Sequence, residues 1–323
     1  MQDLPKAGQA QWNEKILTQA IQMWGAQEAT LSPLSDPSHF LYLVETPAQK
    51  WVLRFSHQSQ TSPTWLQAEN AWLQALRQEQ LEVPLPQPSS AGHGFEKIEE
   101  FFVSAFVWAE GEQHPFYQEE AWGIQQLFEL GRLLARLHNQ ADGFRPPEAE
   151  KRPEWFENHP ILERSDWAPP EQNLCATFEN LHQECLNWSQ EPAVWGLIHA
   201  NIGPMNLAIR ENGSFTLLNF DQSAYHWYSG DLAALLFHYL LVKSARNRRI
   251  FSTKFLQCLL AGYRQERPFD LLWEKRIPLL LKLHSLWFYL SNAARLQANY
   301  GPLTEEVRQA MQAHFLVYQG LTD

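Results

Sequence analysis

The sequence predicts an α+β protein with a small β-rich N-terminal part carrying one main helix and a larger, mostly helical C-terminal part. Three observations predict it. Short apolar strand patterns bounded by turn residues crowd residues 30–110, with one helical period among them. From Ala121 onward the apolar period changes to that of a helix and holds for most of the chain. A length of 323 residues suffices for one large or two ordinary domains, each with a sizeable core.

Trp12, Ile16, Ile21 and Trp24 recur at helical spacing and predict a leading helix. Residues 40–44 and 50–55 read as strands, joined by a turn over 46–49 that contains Pro47. Residues 65–77 form a helix with Leu66, Trp72, Leu73 and Leu76 on its apolar side and Glu69 within it. The prolines of 81–94 forbid helix and stiffen an extended connection. Residues 95–112 read as two strands with a short crossing segment. The next helix sets Ile124, Leu127, Phe128, Leu134 and Leu137 on one stripe, and its Gly131 and Ala135 allow close helix packing. Residues 141–171 are rich in proline and loop-like, a lid or an insertion over a cleft. Asn212-Gly213 is a hairpin signal, because both residues tolerate positive φ; it joins strands at 207–210 and 215–219. The remainder, to the C-terminus, is mostly helical.

Composition narrows the function classes. Apolar residues make up 45% and charged residues 19%, which fits a folded chain rather than a disordered one. The net charge of −11 repels phosphate backbones and anionic lipid, so neither nucleic acid nor membrane is an expected partner. Cys175, Cys185 and Cys258 are odd in number and lack metal-ligand spacing, as in a reducing compartment. No basic-then-apolar leader opens the sequence. Of the longest apolar runs, 232–242 is too short to span a bilayer and 277–290 is broken by Lys282 and His284. A cytoplasmic location is expected.

The chemistry concentrates in LIHANIGPMNLAIRENGSFTLLNFDQ, residues 197–222. A strand enters a His-led loop, and the hairpin gathers His199, Asn201, Asn206, Asn219 and Asp221. This stretch resembles the core of the aminoglycoside phosphotransferase, choline kinase and homoserine kinase superfamily. That core reads His-Gly/Ala-Asp, four residues, Asn, a hairpin, Ile-Asp-Phe-Asp, and later Asp-Leu-Ala. Here the matching residues are His199-Ala200-Asn201, Asn206, Leu218-Asn219-Phe220-Asp221 and Asp231-Leu232-Ala233. WVLRF is similar to the family strand whose basic residue, here Arg54, holds nucleotide phosphates. AENAWLQAL resembles the helix whose acid, here Glu69, pairs with that base. WAEGE, beginning at Trp108, resembles the hinge between lobes, and GRLLARLH the helix that comes after it. The resemblance spans about residues 20–245 and implies a two-lobed protein-kinase-like fold, divided into a nucleotide lobe at 1–110 and a catalytic lobe at 111–323. It implies ATP and Mg2+ as cofactors if the chain is active and none if it is not, and a small-molecule ligand or a protein as partner.

By family role, position 201 is the carboxylate that accepts or orients the substrate proton, 206 a metal-binding amide and 219 the main magnesium carboxylate. Asn206 matches; Asn201 and Asn219 do not. An amide takes no proton at neutral pH and brings no formal charge to a hard cation. Losing a general base alone costs about 10²–10⁴ in rate. The nucleotide-covering loop, near residues 34–39, has no Gly; none occurs between Gly25 and Gly92. The residues allow two readings. In the preferred one the chain is a degenerate kinase homologue, a pseudokinase acting by binding a nucleotide, metabolite or protein. In the alternative it is an active ATP-dependent phosphotransferase on a small hydroxyl or amine substrate. There Asp221, on the same strand face as position 219, replaces the metal carboxylate.

Each residue also has a plainer reading. His199 contacts phosphate or substrate, or is a buried histidine pinning the loop. Asp231 is functional, or a cap or loop anchor. Arg54 and Glu69 hold phosphate, or form a surface ion pair worth little. Trp155, Phe156, Trp167, Trp287, Phe288 and Tyr289 line a substrate pocket or fill the core.

Overall fold

The computed structural model describes residues 12–34, 40–146, 151–157 and 160–319. The chain divides into two compact units, one of residues 1–110 with 145–151 and one of residues 111–144 with 152–323.

In the first unit, helix α1 (Glu14–Met23) starts at Asn13, whose side chain accepts the N–H groups of Lys15 and Ile16. Strands β1 (Thr30–Leu34), β2 (Phe40–Glu45) and β3 (Lys50–His57) form an antiparallel meander. β3 continues the sheet through β6 (Phe101–Val107) to β4 (Pro86–Gln87), and β5 (Glu96–Ile98) also pairs with β6. The periodicity reading missed β1. Its TLSPL has little alternation and a proline, which a sheet edge tolerates because no ladder N–H is needed there. Ile16 and Ala20 of α1 and Trp24 at its C-cap bury against Val44, Leu53, Phe55 and Val103 of the sheet. Helix α2 (Pro63–Gln78) is capped by Ser62, with Pro63 in its first turn, and buries Leu66, Trp72, Leu73 and Leu76 as its stripe predicts.

The second unit begins with β7 (Glu112–Gln113) and α3 (Ile124–Gly143). After α4 (Pro169–Cys185) come four short strands: β8 (Trp195–Ile198), β9 (Leu207–Ile209), β10 (Phe215–Leu217) and β11 (Ala224–Trp227). β10, β9 and β7 make one antiparallel sheet, and β11 with β8 another. Helices α5 (Ser229–Leu241), α6 (Arg248–Glu266), α7 (Leu271–Tyr300) and α8 (Glu305–Phe315) complete the unit. α3 and α6 meet through two glycines. A Cβ on Gly131 would stand 1.9 Å from the Leu259 carbonyl oxygen, and one on Gly262 1.8 Å from that of Phe128. The close packing foreseen at Gly131 is therefore real and needs a second glycine on the facing helix. Within the loop-like stretch 141–171, residues 152–157 are tied down: Glu154 bridges to Tyr225 and Trp155 is buried. No helix of the described residues is long and apolar enough to cross a membrane.

Candidate functional site

β8 delivers the chain into the His-led loop with Leu197 and Ile198 buried. At Ala200 the backbone turns into the left-handed region, φ +63°, which costs a non-glycine residue about 1–2 kcal/mol. Asp231, in the first turn of α5, holds it there. One carboxylate oxygen accepts the His199 N–H at 3.0 Å and the other the Ala200 N–H at 2.9 Å. His138 of α3 donates from Nε2 at 3.3 Å, and its Nδ1 takes the Tyr263 hydroxyl at 2.8 Å. Burial drives the His138 pKa down, so the imidazole is neutral and the contact is a hydrogen bond rather than an ion pair. Burial by itself would raise the Asp231 pKa. The hydrogen bond that His138 donates, with the bond from the His199 backbone, outweighs it and holds the carboxyl below its ordinary value. Asp231 is the loop's anchor.

His199 is fully buried. Its Nε2 donates to the Leu218 carbonyl at 2.8 Å, and its Nδ1 accepts the Asn201 N–H at 3.3 Å. Both nitrogens are engaged within the loop, and burial lowers the pKa of the ring. The imidazole thus joins the loop to the far side of the hairpin. The sequence reading that set His199 against phosphate or substrate gives way to the plainer one.

Asn206 donates from Nδ2 to the Asn201 carbonyl at 2.7 Å, and its own carbonyl accepts the Leu218 N–H at 3.0 Å. This fixes the amide so that Oδ1 is left to accept. Asn219 lies beyond the end of β10 with φ +61°. Period-two alternation stops at Leu217, so the argument that 219 and 221 share a strand face fails. Asn tolerates the left-handed conformation better than most residues. Arg152, 4% exposed, donates from Nε to the Ser223 carbonyl at 2.6 Å and from Nη2 to the Asp221 carbonyl. The backbone around Asp221 is held by this buried cation.

In the first unit, Arg54 and Glu69 form a bidentate pair at 2.8 and 2.6 Å, with side chains 5% and 2% exposed. The surface-pair alternative is excluded by that burial. The guanidinium also lies 4.8 Å from the centre of the Phe106 ring. Trp108 is 41% exposed, directly after β6. Of the nucleotide-covering loop, residues 35–39 lie outside the described residues.

Among the described residues no group of three or more His, Cys, Asp or Glu is placed to hold a metal. The donors that the loop offers are the Asp221 carboxylate and the amide oxygens of Asn206 and Asn219. All are hard oxygens, so the set suits a hard divalent cation, but with one formal charge it grips it weakly. Of the aromatic set, Trp155, Trp167 and Tyr289 are buried, and the Trp155 ring lies 6.0 Å from that of Trp287. Sequence reasoning passed over His138 and Arg152. Each acts on the loop across a long separation, from 93 residues away for His138 and 69 for Arg152, and neither carries a local pattern.

The sequence profile of a phosphotransferase enzyme family matches residues 30–273. Amicoumacin kinase of Bacillus subtilis (strain 168) is 25% identical over 282 residues, which cover 85% of this chain and 83% of that protein. An amicoumacin kinase solved in complex with AMP-PNP, Ca2+ and Ami superposes with a TM-score of 0.84 at 24% identity, covering 97% of this chain and 96% of that one. A microcompartment-associated aminopropanol kinase gives a TM-score of 0.75 at 20% identity, over 95% of each chain. These structural likenesses show the fold, that of the kinase-like phosphotransferases.

Proposed function

Because the chain belongs to the phosphotransferase enzyme family, we propose that it transfers the terminal phosphoryl group of ATP to a small hydroxyl- or amine-bearing molecule. The observation that carries this reading is the loop itself. Two backbone N–H groups on Asp231, the His199 bridge and the Asn206–Asn201 bond hold positions 201, 206 and 219 in a fixed arrangement, with Ala200 kept in a costly conformation. Backbone held so is a feature of functional sites. The kinase relatives support the same reading over that of a pseudokinase, which rests on Asn201 and Asn219 and on a nucleotide-covering loop without Gly.

Each residue then has its part. A divalent cation, when bound, offsets charge on the phosphates, and Asp221 with the amide oxygens of Asn206 and Asn219 would hold it. Asn201 accepts a hydrogen bond from the substrate hydroxyl and orients it, and the hydroxyl proton passes to the transferred phosphate or to a basic group of the substrate rather than to the amide. A loose phosphoryl-transfer transition state demands little of a base. Arg54, made rigid by Glu69, meets the nucleotide phosphates, and Trp108 flanks the nucleotide.

The test is transfer from γ-labelled ATP, at millimolar Mg2+, to a panel of neutral polyols, nucleosides, amino alcohols and aminosugars. Acceptor-dependent label transfer that disappears in Asp221→Ala is the expected result. ATP binding without transfer to any acceptor would return the chain to the binding-protein reading. Full activity of Asp221→Ala would remove Asp221 from the metal role.

A further inference from the structure

Behind the His-led loop, within the second unit, lies a recess walled by Trp155, Ala200, His226, Leu280, Leu283 and His284. Ala200 immediately precedes Asn201, so this recess borders the residue next to the position that would orient the acceptor. Its free space, about 10 Å3, is the room of one water-sized group. None of the residues that line it is a carboxylate, a lysine or an arginine.

His284 stands out there. It projects from the middle of α7 and is 7% exposed, yet its Nε2 is buried without a hydrogen-bond partner. Leaving such a group unmatched costs about 1–3 kcal/mol. Of its ring neighbours, Phe237 at 4.9 Å and Trp287 at 5.8 Å carry no acceptor, and His238, 6.1 Å away between ring centres, makes no hydrogen bond to that nitrogen. Burial, reinforced by the charges that His238 and His226 would carry, drives its pKa well down, so the ring is neutral at physiological pH. A neutral imidazole offers one N–H and one lone pair.

We propose that this recess is a subsite for the phosphoryl acceptor and that it takes one uncharged hydrogen-bonding group, a hydroxyl or an amide oxygen, onto His284 Nε2. The inference rests on the phosphotransferase reading and names the substrate class of the same site. Of the two substrates, a triphosphate is excluded, because the recess offers no cation and burying an uncompensated charge is costly. An ammonium would meet no carboxylate there, only the Trp155 ring and two imidazoles, which favours an uncharged group. The acceptor accordingly presents a neutral polar end here, whatever charge it carries elsewhere. A polycation with amines at every edge does not fit.

The test uses the same acceptor panel with the wild type, His284→Phe and His284→Gln. Phe keeps the aromatic bulk without the polar atom, and Gln restores a donor and an acceptor. The acceptors used should include neutral hydroxyl compounds. For these, His284→Phe should raise the acceptor KM about five- to tenfold, the factor expected for one lost hydrogen bond. The KM for ATP should stay unchanged, and His284→Gln should recover most of the loss. A folded His284→Phe with an unaltered acceptor KM, an equal rise in both KM values, or activity confined to polycationic acceptors would each overturn the subsite while leaving the kinase reading intact. If His284→Phe does not fold, His284→Leu takes its place: an acceptor KM raised about five- to tenfold with the KM for ATP unchanged supports the subsite, and an unaltered acceptor KM overturns it. Absence of transfer to every acceptor by the wild type would remove both.

Discussion

Removing the Asp231 carboxylate should detach the His-led loop from the helix beneath it. The side chain is fully buried and receives three donors: the His199 N–H, the Ala200 N–H and His138 Nε2. In Asp231→Ala all three lose their partner in a place water does not reach. A buried orphaned donor costs about 1–3 kcal/mol. Ala200 can then leave its left-handed conformation, which returns about 1–2 kcal/mol. The net loss is about 1–8 kcal/mol, with a central value of about 4. Asp231→Asn keeps one acceptor oxygen but turns an NH2 toward a remaining N–H, leaving one donor unmatched and costing about 2 kcal/mol. Urea unfolding at pH 7.5, followed by tryptophan fluorescence, measures both. Phosphoryl transfer should fall in both variants through kcat rather than the KM for ATP, because the loop moves Asn201. If Asp231→Ala lies within about 1 kcal/mol of wild type, the anchoring argument is wrong.

Three further outcomes are expected. Asn219→Asp should lower the half-saturating Mg2+ concentration about tenfold or more without unfolding the chain, since Asp also tolerates the φ of +61°; an unchanged Mg2+ dependence would show that position 219 does not face the cation. Gly131→Ala pushes a Cβ to 1.9 Å from the Leu259 carbonyl oxygen, so overpacking of about 3 kcal/mol should exceed the ~1 kcal/mol gained in helix propensity and lower Tm by several degrees in a thermal melt. Stability should also fall as pH drops. Burial lowers the folded-state pKa of His138, His199 and His284, and brings that of His238 down to about 4. Below about pH 6.5 the unfolded chain takes up protons that the folded one refuses, so the loss begins there and continues down to the folded-state values. Asp231, whose folded-state pKa is also lowered, adds its own loss at still lower pH. A Tm flat between pH 7.5 and 5 would contradict this.

The order of motifs along the chain was legible from residue identity: Arg54, Glu69, His199, Asn201, Asn206, Asn219 and Asp221 stand in family sequence, and the Asn-Gly turn marks the hairpin. So were the apolar stripes of α1 and α2 and part of that of α3, where Leu127, Leu134 and Leu137 are buried but Ile124 in the first turn is exposed, because local period states which face is buried. The two amides at 201 and 219 are facts of sequence alone, and they set the chemical question. What these residues do to one another was decided only in three dimensions. Asp231 reads locally as one acid before an apolar helix, yet its energy comes from donors 31 to 93 residues away. The shared face of 219 and 221 was a sound inference from strand geometry that a single left-handed residue at Asn219 undid. His284 looked like an interruption in an apolar run; only packing shows it buried beside the loop with an unmatched nitrogen. Periodicity records how a segment meets the core, while hydrogen-bond partners depend on which segments the fold brings together, and no local pattern encodes that.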